Sequence, residues 1–251
     1  MPLRLVAIGD STVEGIEDPG PGGVYIGWAD RLAGHLDAVH PGLLYANLAV
    51  RGRTAREVCR TQLQPALALV PDLAVVVAGV NDLLQPRFDR AALRGDLFAM
   101  HAGLAATGAQ VLTFTMPDMS RVAPLTVVLR GRLQFLNSVT LECGERYGSL
   151  VVDLAATPAA GHPALWHSDR LHANSEGHRR IAAALAEAIG YDVEDWRAEP
   201  PPAPALSHLR AALGEAAWAG SHLLPWAWEH LRGHSSGDGL TCKRPELLPV
   251  T

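Results

Sequence analysis

Ser11, closing an apolar run near the start of the chain, and His172, preceded three residues earlier by Asp169, are the residue types from which a nucleophilic relay is built. A serine hydroxyl is a poor nucleophile until a neighbouring imidazole takes its proton. The imidazole in turn is best held in the right tautomer by a carboxylate on its other nitrogen. Gly9-Asp10-Ser11 and Asp169-Arg170-Leu171-His172 together supply a nucleophile, a base and a carboxylate to orient that base, and so point to a hydrolase. Taken alone, Gly9-Asp10-Ser11 is also an ordinary way to turn a chain and cap a helix.

These residues are some hundred and sixty positions apart and need a scaffold to meet. Residues 3–8, 43–48, 73–78, 111–115 and 150–153 read as strands, the third as a continuous β-branched run of the kind buried on both faces of a parallel sheet. Helical patterns lie between them, at about 25–38, 55–69, 89–106 and 125–147, and a further helix opens at Asn174 or Ser175 and closes at Gly190. Alternation of this kind predicts one doubly wound, five-stranded parallel α/β sheet with helices on both faces. In such sheets ligands gather outside the carboxyl ends of the strands. Ser11 follows the first strand, Gly52 the second, Asn81 the third, and Asp169 and His172 the fifth, so all fall on one edge.

Four blocks in order, Gly9-Asp10-Ser11, Asn47-Leu48-Ala49-Val50-Arg51-Gly52, Gly79-Val80-Asn81-Asp82 and Ser168-Asp169-Arg170-Leu171-His172, resemble those of the SGNH hydrolases, also called the GDSL family. The resemblance covers about residues 4–190. It implies a flavodoxin-like three-layer α/β/α sandwich and a serine esterase that passes through an acyl-enzyme and needs no cofactor or metal. It also implies that Ser11 is the nucleophile, that His172 is the general base and acid, and that Asp169 orients it. Ser11 and Gly52, through their backbone N–H groups, and Asn81, through its side chain, would form an oxyanion hole. Such donors stabilise the charge that develops when a carbonyl is attacked, and they do so without reorganising. Asp10 and Asp82 read instead as residues that hold turns. Thr12 stands where the family's short name has Leu, and Ala173-Asn174 follows His172 where Pro is frequent; neither touches a proton-transfer role, but both weaken any assignment of substrate.

Composition sets further bounds. Among 251 residues, 48% are hydrophobic and 19% charged, ordinary globular usage. The net charge of −5 gives no electrostatic reason to expect a nucleic-acid partner. Cys59, Cys143 and Cys242 are scattered, with no thiolate-pair spacing, and the short apolar run before Asp10 is too brief for a secretory signal. A reducing, cytoplasmic setting is the expectation. Residues 97–117 lack charge, yet Gly103, Thr107-Gly108 and Thr113 read them as a helix end, a turn and a buried strand rather than a membrane span, so integral membrane insertion is not expected.

His162, His167, His172 and His178 with Asp169 could be read as a metal cluster, but no H-E-x-x-H or thiolate pair is present, and one catalytic histidine with surface neighbours is the favoured reading. Gly15, Gly20, Gly22, Gly23 and Gly27 fit neither dinucleotide nor Walker spacing and suggest a loop bordering the site. Residues 1–198 are expected to form the hydrolase domain and the proline-rich residues 199–205 a stiff linker. Residues 206–251 are expected to form an extension, helical up to Pro225 with Ser207 as its N-cap, rich in tryptophan at Trp218, Trp226 and Trp228, and loop-like from Gly233 onward. Core packing, a cover or homo-oligomer contact, and attachment to a membrane surface are the uses open to that tail. A noncatalytic binding module of the same fold, recruiting a partner through the tail, is the rival to an enzyme acting on a small-molecule ester.

Overall fold

The computed structural model describes residues 1–200 and 236–250. Five parallel strands, β1 (Arg4–Gly9), β2 (Leu44–Asn47), β3 (Leu73–Val77), β4 (Gln110–Phe114) and β5 (Leu150–Val152), lie within a residue or two of their expected positions. Their alternate side chains go to opposite faces, as the period of two in a strand requires. Leu5, Ala7, Val75, Val77, Leu112 and Phe114 enter one buried cluster with α2 (Gly27–Val39) and α8 (Ser175–Ala188). Val6, Ile8, Ala74, Val76 and Val111 enter the other, with α3 (Ala55–Thr61), α4 (Leu63–Ala68), α6 (Arg90–Ala106) and α7 (Arg130–Tyr147). The result is the expected three-layer sandwich.

The sheet is larger than expected. Residues Arg244–Pro249 form a sixth strand, β6, antiparallel to β2, giving the order β5-β4-β3-β1-β2-β6. The segment from Gly233 onward was expected to be loop-like because it shows no periodicity; it also holds Pro245 and Pro249. An edge strand tolerates prolines that a central strand cannot, since one side of its ladder faces no partner. Residues 244–249 are thus a strand of the central sheet. The expected linker beyond Pro200, the tail helix with Ser207, and Trp218, Trp226 and Trp228 lie outside the described residues.

Two other expectations are refined. The helix expected over 55–69 is interrupted at Gln62, giving α3 and α4, and the one over 125–147 begins as a 3₁₀ turn at Pro124–Leu129 before α7. Residues 97–117 are the end of α6, a turn and β4, and no helix among the described residues is long and apolar enough to cross a membrane.

Candidate active site

The sheet order reverses direction at β1, whose neighbours are β2 and β3. A crevice opens outside the carboxyl ends of strands at such a point. Ser11 begins α1 (Ser11–Glu14) directly after β1, and Asn81 sits in α5 (Val80–Leu83) after β3. The turn that carries Ser11 admits only glycine at position 9, where a Cβ would lie 2.2 Å from the Val77 carbonyl oxygen and 2.4 Å from Val13 Cγ2. Gln62, 4% exposed, grips that glycine at both ends: its Oε1 accepts the Gly9 N–H at 2.8 Å and its Nε2 donates to the Gly9 carbonyl at 2.9 Å. The break between α3 and α4 falls at the residue that makes this contact.

Asp10 is fully buried and caps α1, accepting from Thr12 N at 3.0 Å and Thr12 Oγ1 at 2.8 Å. Burial pushes its carboxyl above the ordinary range, although the bonds from Thr12 oppose this. Asp82 accepts the Ala55 N–H at 2.8 Å, and burial raises its pKa to about 6 against the pull of that amide. Asp10 therefore holds its own turn, as expected, whereas Asp82 ties α5 to the first turn of α3.

The loop of Asp169 and His172 is built differently. Asp169 Oδ1 accepts the N–H groups of Leu171 at 2.9 Å and His172 at 3.1 Å, folding the loop back on itself. Arg170 pays for this turn with a left-handed backbone, φ 60°. Antiparallel bridging of Trp166 to Ala173 and a bond from His167 N to the His172 carbonyl at 2.9 Å close its base. Asn174 caps α8 by accepting from Gly177 N at 3.0 Å. Gly177 itself packs so tightly under the loop that a Cβ there would lie 2.3 Å from the Leu165 carbonyl.

The two halves meet. His172 Nε2 lies 2.9 Å from Ser11 Oγ, and His172 Nδ1 lies 2.7 Å from Asp169 Oδ2. Burial alone would raise the Asp169 carboxyl, but the bond from His172, its charge, and the two loop amides prevail and bring the pKa down to about 2. Asp169 is therefore ionised throughout the neutral range.

Gly52 lies in the turn after β2 with φ 73°, a conformation that favours glycine. Its neighbour Arg51 is bound to Glu14 of α1, through Arg51 N to Glu14 Oε2 at 2.7 Å and through the guanidinium. The Asn81 amide donates to the Arg53 carbonyl at 3.0 Å and to Asp10 Oδ2 at 3.3 Å. Glu14 and Gln62, which tie the blocks together, escaped the sequence reading. Thr54-x-x-Glu57, a capping box that opens α3 behind Gly52, carried a readable signal.

The other histidines separate. His178 is buried, accepts the Trp28 N–H at 3.1 Å through Nδ1 and lies 3.0 Å from the Ile16 carbonyl through Nε2; burial brings its pKa down to about 4. His162 Nδ1 accepts from Ala164 N at 3.2 Å. His167 stands with Glu17 and Asp169, ligand-type atoms within 4.8 Å of one another, the one such group among the described residues. The carboxylate it would share with a metal is already engaged by His172.

Beside the relay, Thr12 and His172 form part of the wall of an apolar cavity of about 50 Å³. Trp28, Phe114, Leu165, Trp166, Ile181 and Trp196 are among the other lining residues, with Arg180 and His178 as polar neighbours.

Fold and site define a flavodoxin-like α/β sandwich with a Ser–His pair at the switch point of its sheet. Residues 7–180 match the GDSL-like lipase/acylhydrolase family, and the chain belongs to it. It is accordingly a carboxylic ester hydrolase rather than a binding module. Comparison with curated proteins gives no match. Among solved structures, an α/β hydrolase enzyme from the metagenome of Lake Arreo is similar at 25% identity and TM-score 0.62, over 76% of this chain and 97% of that one. An acetylxylan esterase from Geobacillus stearothermophilus shares the fold at 22% identity and TM-score 0.62, over 77% and 95%. So does a psychrotrophic esterase from Pseudoalteromonas sp., at 19% identity and TM-score 0.57, over 74% and 96%.

Proposed function

We propose that the chain hydrolyses short-chain carboxylic esters through a Ser11 acyl-enzyme, with His172 as base and acid and Asp169 as its orienting partner. The observation that carries this is the continuous relay of 2.9 Å and 2.7 Å from Ser11 through His172 to Asp169. His172 Nε2 takes the Ser11 proton as Oγ attacks the ester carbonyl, and returns it to the departing alcohol. Water then repeats the attack on the acyl-enzyme with the same histidine as base, releasing the acid. Asp169 stays ionised and stabilises the imidazolium that forms in each half. Ser11 N, Gly52 N and the Asn81 amide receive the oxyanion. For Asn81 this means exchanging its longer bond, 3.3 Å to Asp10, for the substrate oxygen.

What supports a short chain is the cavity beside His172. One water needs about 10–15 Å³ of such space, so 50 Å³ admits a group of a few carbons beside His172, and walls of Trp, Phe, Leu and Ile favour a hydrocarbon. The acetyl-specific name of one structural relative is in keeping with that size. The turnover of p-nitrophenyl acetate and butyrate should exceed that of the octanoate; preference for octanoate would overturn the chain-length reading. A fluorophosphonate should label wild-type protein once, at Ser11. Folded Ser11→Ala protein should take no label and lose turnover by on the order of 10⁴-fold or more; wild-type rates in that variant would refute the nucleophile assignment.

A further inference from the structure

The family match ends at residue 180, yet residues 236–243 reach the walls of the site. Two contacts define this approach. Gly237 packs on the backbone of the Gly52 loop, where a Cβ at 237 would lie 2.0 Å from the Arg51 carbonyl oxygen and 3.1 Å from Val50 Cγ1. From the other side of that loop, Arg53 Nη2 donates to the Gly237 carbonyl at 3.2 Å.

Lys243 makes the second contact. It is the one lysine in a sequence whose twenty other basic residues, of 21, are all arginine. Its ammonium, on a side chain 16% exposed, donates to the carbonyls of Glu14 at 2.7 Å, Ile26 at 2.7 Å and Tyr25 at 2.9 Å, and pairs with Asp30. Glu14 and Ile26 are the residues before Gly15 and Gly27, where two backbones cross so closely that a Cβ at Gly15 would lie 2.5 Å from Gly27 Cα. No side chain fits between the crossing strands of chain, so their carbonyls must be satisfied from outside. A compact point charge with three rotatable donors on a flexible stem does this. Glu14 is the last residue of α1, which begins with Ser11, and its carboxylate holds Arg51 beside Gly52.

We propose that residues 236–243 form a strap that positions the Ser11 helix and the Gly52 loop, with Lys243 and Gly237 as its positioning residues. This rests on the roles given above to Ser11 and Gly52. The strap touches neither substrate nor reacting atoms; it fixes the distance between the nucleophile and one wall of the oxyanion hole. The neighbouring Arg244 provides an internal control, because it binds the Tyr45 carbonyl at 2.7 Å and the chain's own Leu248 carbonyl at 2.8 Å, holding the same strand without reaching the site.

The test compares Lys243→Met, Gly237→Ala, Arg244→Met and Ser11→Ala in the full-length chain, by p-nitrophenyl acetate kinetics, fluorophosphonate labelling rate and urea unfolding. Misplacement by about 1 Å can cost about 10²-fold, so kcat and labelling rate should fall by about 10- to 100-fold in Lys243→Met and by about tenfold in Gly237→Ala, with KM within about twofold. Arg244→Met should lower the unfolding midpoint and leave kcat within about twofold of wild type. Gly237→Ala carries the test if Lys243→Met does not fold. The strap is refuted if the folded strap variants keep wild-type kcat while Ser11→Ala is inactive, or if Arg244→Met loses as much kcat as they do. Turnover retained by Ser11→Ala would instead bring down the site assignment on which the strap depends.

Discussion

The turn that presents Ser11 and the loop that presents His172 reach the same point by opposite means. Ser11 is held from far away: Gln62 grips Gly9 across 53 positions, Asn81 meets Asp10 across 71, and Arg51 holds Glu14 across 37. His172 is held by its own neighbours, through Asp169, the amides of Leu171 and His172, and the left-handed Arg170. A serine set in a buried turn depends on the sheet around it being in place, whereas the Asp169–His172 loop is shaped mainly by bonds among its own residues. The comparison teaches that the relay joins one rigid half to one self-contained half.

The sharpest way to break the contrast is inside the self-contained half. Asp169→Asn should lower kcat by about 10⁴-fold, because the amide cannot hold the tautomer that accepts the Ser11 proton. It should also change acid stability. A carboxyl whose pKa is about 2 in the fold, below its ordinary 3.8, stabilises the fold above pH 4, and that contribution is lost as pH falls from about 4 to about 2. Urea denaturation across that range should show a shallower decline in the variant; an unchanged profile with unchanged kcat would place Asp169 outside the relay.

The rigid half should respond to a remote change. Gln62→Leu leaves the Gly9 N–H buried without its acceptor and should cost about 1–3 kcal/mol of stability, with kcat falling alongside it. Denaturant titration and steady-state kinetics read both, and a neutral result would show that Gly9 needs no grip. The smallest effect is expected at Asp82, whose pKa of about 6 lies above its ordinary 3.8. Protonation is favoured in the fold, so stability falls as pH rises from about 4 to about 6 and stays lower above it. Asp82→Asn should remove that slope and gain about 1–2 kcal/mol at pH 8, keeping an oxygen for the Ala55 amide. A variant less stable than wild type at pH 8 would mean the charge itself is needed.

The same contrast explains what could be read from residues alone. Strands β1 to β5 announce themselves through apolar runs, and Asp169-x-x-His172 carries its geometry within four residues because the carboxylate bonds the amides that follow it. Ser11, Gly52 and Asn81 were legible as blocks placed after successive strands. Glu14, Gln62 and Lys243 were not, since a polar side chain that acts across dozens of positions leaves no periodicity or spacing near itself. β6 was hidden for another reason: Pro245 and Pro249 argue against a strand wherever both of its sides must pair, and only the topology shows that β6 pairs on one side alone among the described residues.

That outermost strand has a bearing on how the molecule behaves in company. Without it, β2 would present a row of backbone groups ready to recruit another chain. With it, the sheet ends on a segment with Pro245 and Pro249 and the charges of Arg244 and Glu246, a poor template for further growth, while β5 at the opposite margin is only three residues long. Among the described residues, both borders of the sheet are thus poor templates for ribbon-to-ribbon stacking at high concentration.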